Sequence, residues 1–68
     1  MVVVDDKVRF DAFDYVCGGL EKHSLWVTGT VYGVNYSHKV FHVEYRIAGS
    51  VFRTSFKFCD IGKKVRVV

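Results

Sequence analysis

The sequence contains no proline, only two cysteines, one methionine and one tryptophan. Without proline there is no polyproline linker and no Pro-rich recognition arm. Cys17 and Cys59 lie far apart and form neither a CxxC pair nor a four-ligand zinc pattern, so no structural metal is expected. No apolar run approaches the roughly 20 residues that span a bilayer, so no membrane partner is expected. The opening Met1-Val2-Val3-Val4-Asp5-Asp6 lacks the basic region and apolar run of a secretion signal. A cytoplasmic protein with two free thiols follows, and a disulfide forms only if the two cysteines meet in space. Helix-favouring residues are also scarce. Ala, Leu, Met, Glu, Gln, Lys and Arg supply 17 of the 68 residues, whereas Val, Ile, Tyr, Phe, Trp and Thr supply 30, which points to strands.

What remains is half hydrophobic and one quarter charged, a composition that excludes a disordered tail. A chain of 68 residues is one domain, 1–68. At this size only about 60% of the unfolded surface is buried, so most side chains serve the fold. The net charge is +3, but it is unevenly spread. Residues 1–34 carry −2 and residues 35–68 carry +5, a polarity that suits an anionic partner and equally describes a solvated face.

Apolar residues alternate with the period of two expected of half-buried strands. Val8 and Phe10 form an inward pair in a first strand at Lys7–Asp11. The pattern then lapses, and 11–24 reads as a long loop turning at Cys17-Gly18-Gly19. Leu25–Val34 is a second strand with Val27 and Val31 on one face; Gly29 and Gly33 within it signal a bulge or a sharp bend. Val40–Ile47 and Val51–Phe58 alternate most cleanly, and Gly49-Ser50 between them fits a two-residue hairpin turn. That turn pairs Ile47 with Phe52, Val43 with Phe56 and Phe41 with Phe58, and a slip by one residue would set each against a polar partner. Cys59–Lys63 reads as a single helical or 3₁₀ turn before a last strand at Val65–Val67. Five short strands so connected predict a partly closed barrel, the alternative being a flat three-stranded meander.

Asp6-Lys7-Val8-Arg9-Phe10 resembles the opening strand of the SH3-like small barrels, Tudor and KOW relatives included, and Thr28-Gly29-Thr30-Val31 their second strand. Phe52-Arg53-Thr54-Ser55-Phe56-Lys57-Phe58 is similar to segments of small uncharacterised proteins of bacterial phages and mobile elements. The resemblance implies an all-β, five-stranded, SH3-like partly open barrel, with a long loop after strand 1 and a short helical turn before the last strand. Such barrels bind peptides, methylated side chains, RNA or DNA, so the fold does not select the ligand.

The predicted register sets Arg46 opposite Arg53, Glu44 opposite Ser55 and His42 opposite Lys57 on the outer face. Two arginines directly opposite repel, and two guanidinium groups can grip one phosphate. Alternatively Glu44, diagonal to Arg53, neutralises the cluster. With Tyr32 on the neighbouring strand and Trp26 near one end, this face would combine cations for phosphates with rings for bases. Trp26 could instead cover the end of the core. Lys63, Lys64 and Arg66 form a second basic stretch, expected near Lys7 and Arg9. The function expected is a non-enzymatic binding module for nucleic acid or a nucleotide, with Arg46, Arg53 and Lys57 on phosphates, Tyr32 and Trp26 stacking, and His42 as an added cation. The alternative is a small protein–protein interaction domain, an adaptor or inhibitor, anchored by Phe13, Tyr15 and Leu20 of the 11–24 loop. A homo-oligomer through an open sheet edge, or through Phe13 and Tyr15, is a third arrangement. His23, His38 and His42 have no carboxylate or nucleophile partner at motif spacing, so neither catalysis, nor a metal, nor a cofactor is expected.

Overall fold

The computed structural model describes residues 2–12 and 24–68. They form five strands, β1 (Lys7–Asp11), β2 (Trp26–Asn35), β3 (Val40–Ile47), β4 (Ser50–Lys57) and β5 (Val65–Val67), with one 3₁₀ turn at Phe58–Asp60. All pairings between these strands are antiparallel, in one open sheet of order β4-β3-β2-β1-β5. The domain is therefore all-β, and five paired strands exclude the three-stranded meander. Among the described residues no helix is long and apolar enough to cross a membrane.

β2 is shared by the two halves of the sheet. Trp26–Thr30 pair with β1, Thr30–Asn35 pair with β3, and only Thr30 pairs on both sides. Next to that shared residue, Gly29 faces the core with no side chain. A Cβ there would overlap Val43 Cγ1 and lie 3.0 Å from the Glu44 carbonyl oxygen and 3.4 Å from Phe10 Cε1. Three strand spacings separate β1 from β4 in this order, about 14 Å in a flat sheet. Yet Phe10 of β1 sits edge-on to Phe56 of β4 and to Tyr45 of β3, with ring centroids 5.0 Å apart in both pairs. The sheet thus curls over its own inner face. Val2, Val8, Phe10, Ala12, Val31, Phe41, Val43, Tyr45, Phe56 and Val65 make up the buried core.

The β3–β4 hairpin forms, but two residues out of the expected register. Its turn is Ala48-Gly49, and the pairs are Phe41 with Phe56, Glu44 with Arg53, Tyr45 with Phe52 and Arg46 with Val51. Arg46 is therefore not opposite Arg53, nor is His42 opposite Lys57; His42 faces Ser55. A slip by two preserves the face of every side chain, so the alternation of apolar residues cannot distinguish the two registers. Backbone chirality does. Ala48 and Gly49 take φ of 51° and 84°, the left-handed pair of a type I′ turn whose twist matches the strands. The rings also favour this register: Tyr45 stacks on Phe52 at 5.6 Å. Phe58 leaves β4 and opens the 3₁₀ turn, where the Lys57 N–H donates to Asp60 Oδ2 at 3.1 Å.

β2 starts and ends one residue later than expected from the alternation, whereas the β1 and β3 bounds agree. Between β1 and β2 the chain is tied at its base. Ala12 N–H donates to the Leu25 carbonyl and Leu25 N–H to Asp11 Oδ1. The expected turn at Cys17-Gly18-Gly19 and the anchors Phe13, Tyr15 and Leu20 lie outside the described residues.

Replacing Gly29 with Ala should destabilise the domain by about 1–3 kcal/mol, because Val43 and the β3 backbone must move. Replacing Ala48 with Asn should raise stability by roughly 1 kcal/mol, since Asn tolerates the left-handed region better. Urea unfolding of both variants checks the bend and the register; no gain in Ala48→Asn would place the turn elsewhere.

Candidate functional site

Two clusters of basic and aromatic side chains stand on the outer face, and they differ in how their charge is met. The first lies on β1, β5 and the start of β2. Arg9 is directly opposite Arg66 on one side and Thr28 on the other. Trp26 is two pairs further along, on the same face and opposite Asp11. Arg9, Trp26 and Arg66 line a groove of about 310 Å³. All three are exposed, Trp26 at 52%. It does not cover the core. Neither arginine has an ion pair or a side-chain hydrogen bond among the described residues.

The local fold explains why Arg66 points here. Asp60 accepts from the N–H groups of Lys63 and Lys64 through its carbonyl, and Gly62 takes φ of 86° as the chain reverses. Val65 then enters the core opposite Phe10, so Arg66 must face outward beside Arg9. Of the C-terminal basic stretch expected near Lys7 and Arg9, Arg66 lies there, and the Val68 N–H donates to the Lys7 carbonyl; Lys63 and Lys64 belong instead to the turn at Asp60. What sequence reading missed is that this pair, and not Arg46 with Arg53, sets two arginines directly opposite each other.

The second cluster lies on β2, β3 and β4. A bulge between Val31 and Gly33 leaves Tyr32 as the extra residue, half exposed at 48%. Gly33 sits under the His42 ring, whose Cδ2 would be 3.3 Å from an added Cβ. His42 Nδ1 is 2.7 Å from Ser55 Oγ, and its ring lies 5.9 Å from that of Tyr32. The Arg53 guanidinium stands over Tyr32 at 5.4 Å and donates to Glu44 Oε1 through Nε at 3.3 Å and Nη2 at 3.2 Å. Its charge is therefore matched by the residue directly across the ladder.

The expected site residues thus divide. Tyr32, His42 and Arg53 come together; Trp26 joins Arg9 and Arg66 instead. Arg46 is exposed opposite Val51, and Lys57 is exposed opposite Val40. The register on which an Arg46–Arg53 phosphate cradle depended does not form. Cys59 is an exposed free thiol, and among the described residues no three His, Cys, Asp or Glu converge as metal ligands. No protein-family model, no curated protein and no solved structure matches this chain.

Like charges directly opposite on a ladder destabilise it, and opposite charges support it, each by a few tenths of a kcal/mol to about 1. Replacing Arg66 with Glu should accordingly raise unfolding free energy by about 0.2–1 kcal/mol at low salt. The gain should shrink at high salt, as for any exposed pair. A loss of stability in urea titration would mean that Arg9 and Arg66 are not in repulsive proximity.

Proposed function

We propose that this chain is a non-enzymatic binding module that holds a phosphate-bearing ligand, nucleic acid or a nucleotide, in the Arg9–Trp26–Arg66 groove. One observation carries the reading: two unneutralised arginines directly opposite each other beside a half-exposed indole. Such an arrangement costs stability in the free protein, and an anion between the guanidinium groups reverses the sign of that cost. The indole supplies the apolar plane on which a base stacks, worth about 1–3 kcal/mol. His42, Arg46, Arg53 and Lys57 are accessory in this reading, because Arg53 is already paired and Arg46 has no arginine opposite.

We read the scaffold as an SH3-like, partly open barrel. The strand order, the 3₁₀ turn before β5 and the Phe10–Phe56 contact across the curled sheet support it. The scaffold leaves the choice of ligand to the side chains on its outer face.

Labelled single-stranded DNA and RNA titrated at low and high salt provide the test, followed by anisotropy and by the fluorescence of Trp26, the one tryptophan of the sequence. Affinity should fall with log salt, by about 0.7 log units per log unit of salt for each phosphate contacted. Arg9→Ala with Arg66→Ala should weaken binding at least tenfold while leaving the fold intact, whereas Arg46→Ala should change it little. Undiminished affinity in the double variant would overturn this site. Absence of binding by any of these probes would redirect attention to a protein partner.

A further inference from the structure

The two exposed rings of β2 stand at opposite ends of one strip. Trp26, Thr28, Thr30 and Tyr32 share the outer face, since Val27, Gly29 and Val31 between them turn inward. The bulge falls at Tyr32 itself, so alternation is unbroken up to that ring. Between the rings the floor is low, made of two threonines. Along its β1 side, past Asp11 opposite Trp26, Arg9 lies opposite Thr28 with Arg66 beyond it, and Lys7 Nζ donates to Thr30 Oγ1 at 2.9 Å; on the β3 side Glu44, opposite Thr30, is engaged by Arg53. At the far end the Arg53 guanidinium carbon stands over the Tyr32 ring, 5.4 Å from its centroid, a cation–π contact on one face of that ring.

From these positions we infer that the ligand is a single nucleic-acid strand laid along the outer face of β2, with one base on Trp26, a later base on Tyr32, and the intervening phosphates against Arg9, Arg66 and Lys7. The inference rests on the reading of the groove proposed above and adds the class and the length of its ligand. Six residues of strand span about 20 Å. A footprint near the lower end of single-strand sites, about four nucleotides, matches that span. A mononucleotide reaches one ring only. A duplex keeps its base faces stacked within itself and offers neither ring a partner.

The experiment is a length series. Deoxy- and ribo-oligonucleotides of one to eight nucleotides, and a duplex of eight base pairs, are titrated into the wild-type chain and into Tyr32→Ala, Tyr32→Phe and Trp26→Ala. Affinity should rise steeply to about four nucleotides and then level, with the duplex at least tenfold weaker than the single strand of equal length. Tyr32→Ala should lose about 5- to 100-fold for the hexanucleotide and nothing for the mononucleotide. Tyr32→Phe, which keeps the ring, should bind as the wild type, and this separates stacking from any disturbance of the bulge. Trp26→Ala should weaken every length. A mononucleotide bound as tightly as the octamer, with Arg9 and Arg66 still required, would overturn the strand inference and leave the groove reading intact. A duplex bound as well as the single strand would overturn it equally. No binding at any length would overturn both.

Discussion

At Gly29 the chain carries no side chain because none fits: Val43 Cγ1 occupies the place of a Cβ, with the β3 backbone and Phe10 close behind. This close approach sits beside Thr30, where β2 passes from pairing with β1 to pairing with β3. From it follows the burial of Phe10 against Tyr45 and Phe56, residues of strands that a flat sheet would hold well away. It also fixes what the outer face looks like. On the outer face of the curled sheet, β2 offers Trp26 to one half of the sheet and Tyr32 to the other, with Thr30 at the junction. A side chain at position 29 would press the two halves apart and change the geometry of both clusters together.

Electrostatics separates the clusters. Both contain arginine and an aromatic ring, and both are exposed to solvent. Arg53 has Glu44 directly opposite and donates to it twice, so its charge is spent in a surface ion pair, of the kind worth at most about 1 kcal/mol. Arg9 has Arg66 opposite and makes no ion pair among the described residues, although Asp11 lies two residues along on the same face. A repulsion of a few tenths of a kcal/mol is small, but no packing requirement demands arginine at either exposed position. Local conflict without an evident structural compensation is where a binding role is best sought. That asymmetry moves the proposed interface to the β1–β5 side.

The division between what the sequence discloses and what it withholds follows from the period of the strand. Alternation in Val40–Ile47 and around Phe56 identifies the strands and their inner faces, because burial acts on every second residue. It is blind to a shift of two, which exchanges partners without exchanging faces. The choice between Arg46 and Glu44 as the partner of Arg53 was therefore made by two backbone dihedrals, at Ala48 and Gly49, and Ala48 is not a residue that advertises a left-handed turn. Trp26 illustrates a second limit. Its outward direction is legible from Val27 and Val31, but which basic residues surround it depends on the curl of the sheet. The pairing of Arg9 with Arg66 was closer to hand. Val8 and Phe10 in the first strand and Val65 in the last turn inward, so a chain that pairs its last strand with its first sets Arg9 and Arg66 on one outer face, and the register then makes them partners.

β5 ties this electrostatic conflict to the mechanics of the fold. It is three residues long and lies at a sheet edge, attached through its ladder to β1 and through the burial of Val65. Short edge elements of this kind open locally at less than the cost of global unfolding. In the free chain the Arg9–Arg66 repulsion acts across the β1–β5 ladder and lowers that cost further. On the proposed reading, a phosphate held between the two guanidinium groups replaces the repulsion with two charge-assisted contacts across the same ladder. Binding then draws on β5 being docked, and docking is favoured by the ligand through mass action. The site and the last strand of the sheet are in that sense one element: the arginine that weakens the edge in solution is the one that would hold it closed around its ligand.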